Sequence, residues 1–169
     1  MKVAVFNDSR IGVVQNDKII DVTDTCPYYA STWPPTFMLS FIEHFDTLRP
    51  QIEELVEEQA VTVPLNQAIL HPPIPIPTKI LAAPVNYRLH QEEMTVKGAV
   101  YEGMALHTIE QYGVFLKPPS SLIGSGGRVE LPFPDRRTDH EGEVGVVIGK
   151  KDVISRETRL RIISLATPA

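Results

Sequence analysis

The stretch Asp139 to Lys150 reads DHEGEVGVVIGK, and it decides how the rest of the chain is read. Glu141 and Glu143 stand one residue apart, and Val144, Val146, Val147 and Ile148 follow at once. A β-branched run of this kind predicts a strand. Side chains at i and i+2 of a strand share a face, so the two carboxylates are expected side by side at the mouth of an apolar run. Like charges held that close repel, and burial sharpens the repulsion. A shared proton or a bound cation relieves it, and a hard divalent ion with oxygen ligands suits two carboxylates. The alternative at this point is an edge strand with a solvated acidic face.

Outward from this stretch, the totals narrow the field. The chain has 169 residues, 43% hydrophobic and 22% charged, as in ordinary globular proteins. A net charge of -5 gives no reason to expect nucleic acid or an anionic membrane as partner. With Cys26 as its single cysteine, the chain forms no internal disulfide framework and no cysteine metal cluster. The N-terminus reads as mature protein, and no apolar run approaches the length of a membrane span. A cytoplasmic location is the expectation.

Before the acidic stretch, alternation and turn residues predict a β-meander: Lys2 to Phe6, Ile11 to Val14 and Lys18 to Val22, with turns at Asn7-Asp8-Ser9 and Gln15-Asn16-Asp17. After Pro34-Pro35, a helix is expected from Thr36 to Thr47, broken by Pro50, with a second from Ile52 to Glu58. The proline-rich run HPPIPIPT from His71 removes backbone donors and stiffens the chain, marking a boundary. Residues 1–70 thus read as a small α+β unit, 71–78 as a linker and 79–169 as the part that carries the chemistry.

In that second part, KILAA from Lys79 predicts a strand and RLHQEEM from Arg88 the opening of a helix. His90 and Glu93, three apart, fall on neighbouring helical positions, where a carboxylate orients an imidazole and raises its basicity. An exposed polar pair is the alternative there. Gly113 to Leu116 predicts a strand that delivers Lys117 into the locked sequence Pro118-Pro119. LIGSGG, from Leu122, lacks both P-loop lysine and dinucleotide spacing and is read as a flexible turn. Arg128 to Leu131 predicts a strand, with a charged loop from Pro132 to Thr138.

Four segments stand in order: NYRLHQEE, FLKPPSSLIG, VELPFP and DHEGEVGVVIGK. Together they resemble the fumarylacetoacetate hydrolase family, over residues from about 71 to about 157. The resemblance implies a partial mixed β-sheet roll after the α+β unit, and Mg²⁺ or Mn²⁺ as cofactor. It implies cleavage, decarboxylation or isomerisation of small 2-oxo or β-dicarbonyl acids, and a homodimer. Glu141 and Glu143 match the family's E-x-E metal ligands. His90 and Glu93 match its H-x-x-E dyad, and Lys117 its F-x-K lysine. Residues 88–105 match a segment that closes over substrate.

The match departs in two places. Pro84 stands where the family usually has glycine before Asn-Tyr. The aspartate that completes the family's metal site has no counterpart, because Asp152 is the last aspartate of this sequence. The expectation is therefore a C-terminally truncated member. It is either a metal-dependent enzyme or a non-catalytic module that binds or dimerises.

Overall fold

The computed structural model describes residues 1–27, 29, 36–84, 86–89, 92, 109–138 and 140–149. They belong to an α+β chain with two compact units: residues 1–76 together with those from 123 on, and residues 77–122.

In the first unit, β1 (Lys2–Phe6), β2 (Arg10–Gln15) and β3 (Lys18–Asp21) form the expected antiparallel meander. The turns suit their residues: Asn7, Ser9 and Asn16 adopt positive φ of 45°, 62° and 54°, a region in which asparagine is tolerated well. A fourth strand, β4 (Thr62–Pro64), pairs with β3 through Ile19 opposite Val63, giving the order β1-β2-β3-β4. The terminal proline of so short a strand hid it from the sequence reading.

Two helices cover one face of the sheet: α1 (Phe37–Glu43) and α2 (Phe45–Glu58). The break falls at His44, not at Pro50. His44 closes α1 by donating its backbone N–H to the Ser40 carbonyl at 3.0 Å, and its ring Nδ1 bonds the same oxygen at 2.9 Å. Pro50 lies inside α2. It forfeits one helical hydrogen bond there, and the burial of Leu48 and Ile52 on either side outweighs the loss. Leu48, Ile52, Leu55 and Val56 recur at helical spacing and face the core, which also holds Val5, Ile11, Val13, Val22, Phe37, Phe41 and Ile42. Glu53, Glu54, Glu57 and Glu58 face outward.

On the opposite face, Phe6 and Ile19 are buried over Gly12. A Cβ on Gly12 would lie 2.2 Å from Ile19 Cγ2 and 2.9 Å from Phe6 Cε1. The sheet end is tied by a polar knot. The Ile11 N–H donates to Thr23 Oγ1 at 2.9 Å, and the Thr23 hydroxyl donates to Asp21 Oδ1 at 2.6 Å. Arg10 Nε donates to the other Asp21 oxygen. The hydrogen bond to Asp21 raises the Arg10 proton affinity above the ordinary arginine value, against a smaller opposing effect of burial. Titration of Arg10 itself removes this stabilisation only above the ordinary arginine range, so Arg10 gives stability no slope near neutrality.

Residues 69–71 extend the sheet beside β1. Asn7 N–H donates to the Ile69 carbonyl at 2.8 Å, Ile69 N–H to Asn7 Oδ1 at 2.9 Å, and His71 N–H to the Val5 carbonyl at 2.9 Å. Phe6 and Leu70 form a bridge, and His71 Nε2–H donates to the Asn7 carbonyl.

The second unit contains a two-stranded antiparallel ladder, β5 (Ile80–Ala82) with β6 (Phe115–Lys117), and a single helical turn, α3 (Ile109–Tyr112). Arg88, Leu89 and Glu92 are helical, as expected of RLHQEEM, and Arg88 Nε lies 3.5 Å from Glu92 Oε1.

Two substitutions test the packing. Gly12→Ala is expected to lower stability by about 1–3 kcal/mol through overpacking. Thr23→Val is expected to cost about 1–3 kcal/mol by leaving the buried Ile11 N–H without an acceptor. Urea unfolding midpoints of the two variants check both values.

Candidate active site

Glu141 and Glu143 lie in the first unit, on a segment whose residues 140–149 form no ladder with any described strand. Residues 128–131 form none either. Both were expected as strands. A strand is held by the hydrogen bonds of a neighbour, so β-branched composition without a paired neighbour leaves the backbone unladdered.

The acidic segment is nevertheless fixed at one end. Val147 packs against the N-terminal core, and Gly149 is buried. Glu141, Gly142 and Glu143 are exposed, and so are Val144, Val146 and Ile148. The two carboxylates are thus presented to solvent by a segment anchored through a neighbouring valine. As a donor set they suit a hard divalent ion, with water supplying further oxygens. Among the described residues, no three His, Cys, Asp or Glu side chains converge to hold a metal.

The turn before this segment has a steric cause. Gly124 comes so close to residues 70–71 that a Cβ would lie 2.1 Å from the Leu70 carbonyl oxygen. Gly127 N–H donates to the Gly124 carbonyl at 3.0 Å, and Gly126 takes φ +79°, as the third residue of a type II turn requires. Sequence alone could not reveal the approach to Leu70, which depends on two distant segments meeting. Further on, Arg136 N–H donates to the Phe133 carbonyl at 3.1 Å, and the guanidinium carbon stands 4.3 Å from the Phe133 ring centre.

Lys117 lies in the second unit, as the last residue of β6 and opposite Ile80. It belongs to the strand rather than following it. Its backbone is fixed from both sides. The ladder holds it before, and Pro118, at φ -66°, leads into a 3-10 turn in which Ser121 N–H and Oγ donate to the Pro118 carbonyl at 3.0 Å and 2.8 Å. The ammonium is exposed and 6.0 Å from the Phe115 ring centre. His90 and Glu93 lie outside the described residues, as does most of the segment 88–105.

Comparison with known proteins adds to this geometry. The fumarylacetoacetate (FAA) hydrolase C-terminal model matches residues 79–167. Maleylpyruvate hydrolase of Aquipseudomonas alcaligenes is 40% identical over 153 residues, which cover 89% of this chain and 53% of that protein. A mitochondrial oxaloacetate tautomerase of Arabidopsis thaliana is 40% identical over 74 residues, 44% of this chain and 29% of the relative. The crystal structure of maleylpyruvate hydrolase from Sphingobium sp. SYK-6, in complex with manganese(II) and pyruvate, superposes with a TM-score of 0.70 at 36% identity, covering 89% of this chain and 50% of that one. This chain therefore spans about half the length of the maleylpyruvate hydrolases it matches.

The anchoring of the acidic segment is testable. Val147→Ala is expected to cost about 1 kcal/mol and to speed amide hydrogen exchange across residues 140–149, with β1–β3 protection unchanged.

Proposed function

This chain belongs to the fumarylacetoacetate hydrolase family, and from that premise we propose that it serves a divalent-metal-dependent reaction at a C–C bond of a small 2-oxo or β-dicarbonyl acid. The observation that carries the reading is the exposed Glu141-Gly142-Glu143 segment, anchored by Val147 and falling within the matched stretch. Its support from relatives is the maleylpyruvate hydrolase at 40% identity and the manganese and pyruvate of the Sphingobium enzyme.

In this reading Glu141 and Glu143 hold Mg²⁺ or Mn²⁺ through carboxylate oxygens. Such an ion, when bound, supplies Lewis acidity and a template for the substrate's oxo and carboxylate oxygens. Lys117 offers a fixed positive charge to the negative charge that builds beside a carbonyl during C–C cleavage. Its strand and proline locks limit the reorganisation it undergoes. His90, oriented by Glu93, moves the proton, and residues 88–105 close over the substrate to exclude water. The functional division follows the sequence reading: an N-terminal unit over 1–70, a linker over 71–78 and a partial catalytic domain over 79–169. Hydrolysis of an acylpyruvate is the first activity to assay, with oxaloacetate decarboxylation and the isomerisation of related acids as neighbouring chemistries.

Self-association into a homodimer is part of the proposal. Exposed apolar residues support it, among them Leu116 at 67% and Val144 at 72%. A cytoplasmic location is also part of it, and a single cysteine asks for no oxidising compartment. No described helix is long and apolar enough to cross a membrane. The second reading is a non-catalytic binding or dimerising module. The observation favouring it is that no three His, Cys, Asp or Glu side chains converge to hold a metal among the described residues.

Titration calorimetry of Mn²⁺ into the full chain separates the two readings. The enzyme reading expects saturable binding that Glu141→Ala or Glu143→Ala weakens at least about tenfold, roughly 1.4 kcal/mol. It also expects acylpyruvate hydrolysis that His90→Ala removes. Absence of saturable binding contradicts it and leaves the module.

A further inference from the structure

The segment that bears Glu141 and Glu143 changes in burial along its length. Val146 is 48% exposed, Val147 is half-buried against the N-terminal core, Ile148 is 60% exposed and Gly149 is buried. Burial that alternates residue by residue marks an extended chain with one side against a surface. Residues 140–149 contain no turn and no bend, so the same period runs back along the segment.

On that period Glu141, Glu143, Gly145, Val147 and Gly149 share one side, and Gly142, Val144, Val146 and Ile148 share the other. The side that carries both carboxylates is thus the side that meets the core four residues later. Composition does not force this choice. Val144, Val146 and Ile148 are as apolar as Val147 and more numerous. Docking through them would turn the carboxylates the other way, because a slip of one residue inverts every side chain of an extended segment. Val147 makes the contact with the core, and so it decides the direction in which the carboxylates point.

The backbone beside the pair is open. A Cβ at Gly142 or at Gly145 would meet no atom within 4 Å. Gly145 stands between Glu143 and Val147 on the carboxylate side and keeps that side clear next to Glu143. An ion held by two carboxylates fills its other positions with water and needs such room.

The dock is also slight. Among the described residues the segment joins no ladder, and its points of burial are one half-buried valine and one glycine. A contact of that size leaves the docked population open to any ligand that favours it. Such coupling is reciprocal: docking aids the ion, and the ion aids docking by the same factor.

We propose that Val147 is a positioning residue for the divalent ion: its docking on the N-terminal core sets the side to which Glu141 and Glu143 are presented, and ion binding and docking are coupled. The inference deepens the functional reading above and rests on it for the ion.

Titration calorimetry of Mn²⁺ into the full chain and its variants is the test. Val147→Ser is expected to weaken binding about fivefold or more. Val147→Ile should keep the affinity, and Ile148→Ser, one residue away on the other side, should leave it unchanged. Amide protection in β1–β3 reports that the N-terminal unit stays folded, and Val147→Ala replaces Val147→Ser if that protection falls. Through the reciprocal effect, saturating Mn²⁺ should slow amide exchange across residues 145–149 of the unsubstituted chain and not of Val147→Ser. A merely structural valine would change stability and leave the affinity as it is. Unchanged affinity in Val147→Ser, equal weakening by Ile148→Ser, or exchange indifferent to the ion overturns the proposal and leaves the functional reading standing. Absence of saturable binding by the unsubstituted chain brings down both.

Discussion

Backbone pairing between the end of β1 and residues 69–71 is the constraint on which the first unit depends. Three main-chain and side-chain bonds, joined by the His71 ring, hold this short segment beside Val5 and Asn7. Backbone groups in such a place must find partners, and pairing them fixes the path of the chain. The fixed segment then becomes a surface for another. Gly124 lies against the Leu70 carbonyl with no room for a side chain, and the type II turn that follows starts from that contact. Val147 rests on the same core that Val5 belongs to. The acidic pair is therefore anchored to the N-terminal core on its C-terminal side, through Val147.

This gives the N-terminal unit a role beyond that of a lead-in. Its core of Ile11, Phe41, Ile52 and their neighbours is well buried, and each such side chain contributes roughly 1.5–3 kcal/mol on leaving water. The segment bearing Glu141 and Glu143 has little burial of its own and takes its placement from that core. A stable scaffold holding an exposed polar segment is a common division of labour at functional sites.

The sequence was most legible where local rules suffice. Alternation with Asn and Asp at the turns marked the meander, and the helix-forming runs after Pro34-Pro35 marked the helices that cover it. It misled where a local rule was taken as absolute: Pro50 is tolerated within α2, and the break belongs to His44, whose ring and amide share the Ser40 carbonyl. It also misled at residues 128–131 and 141–148, because composition states what a strand prefers and only a paired neighbour makes one. The tight approaches at Gly12 and Gly124 were illegible, being properties of the assembled fold. Charge placement and motif order singled out Glu141, Glu143 and Lys117, whose roles are proposed.

The central claim is that the anchored Glu141–Glu143 pair, rather than any other acidic surface, is where a divalent ion binds. The chain contains a natural competitor in the outward face of α2, with Glu53, Glu54, Glu57 and Glu58. Paramagnetic broadening of assigned amide resonances by substoichiometric Mn²⁺ decides between them. The account predicts broadening centred on residues 141–143, with the α2 amides sharp. Broadening centred on α2, or spread evenly over both acidic surfaces, would contradict it.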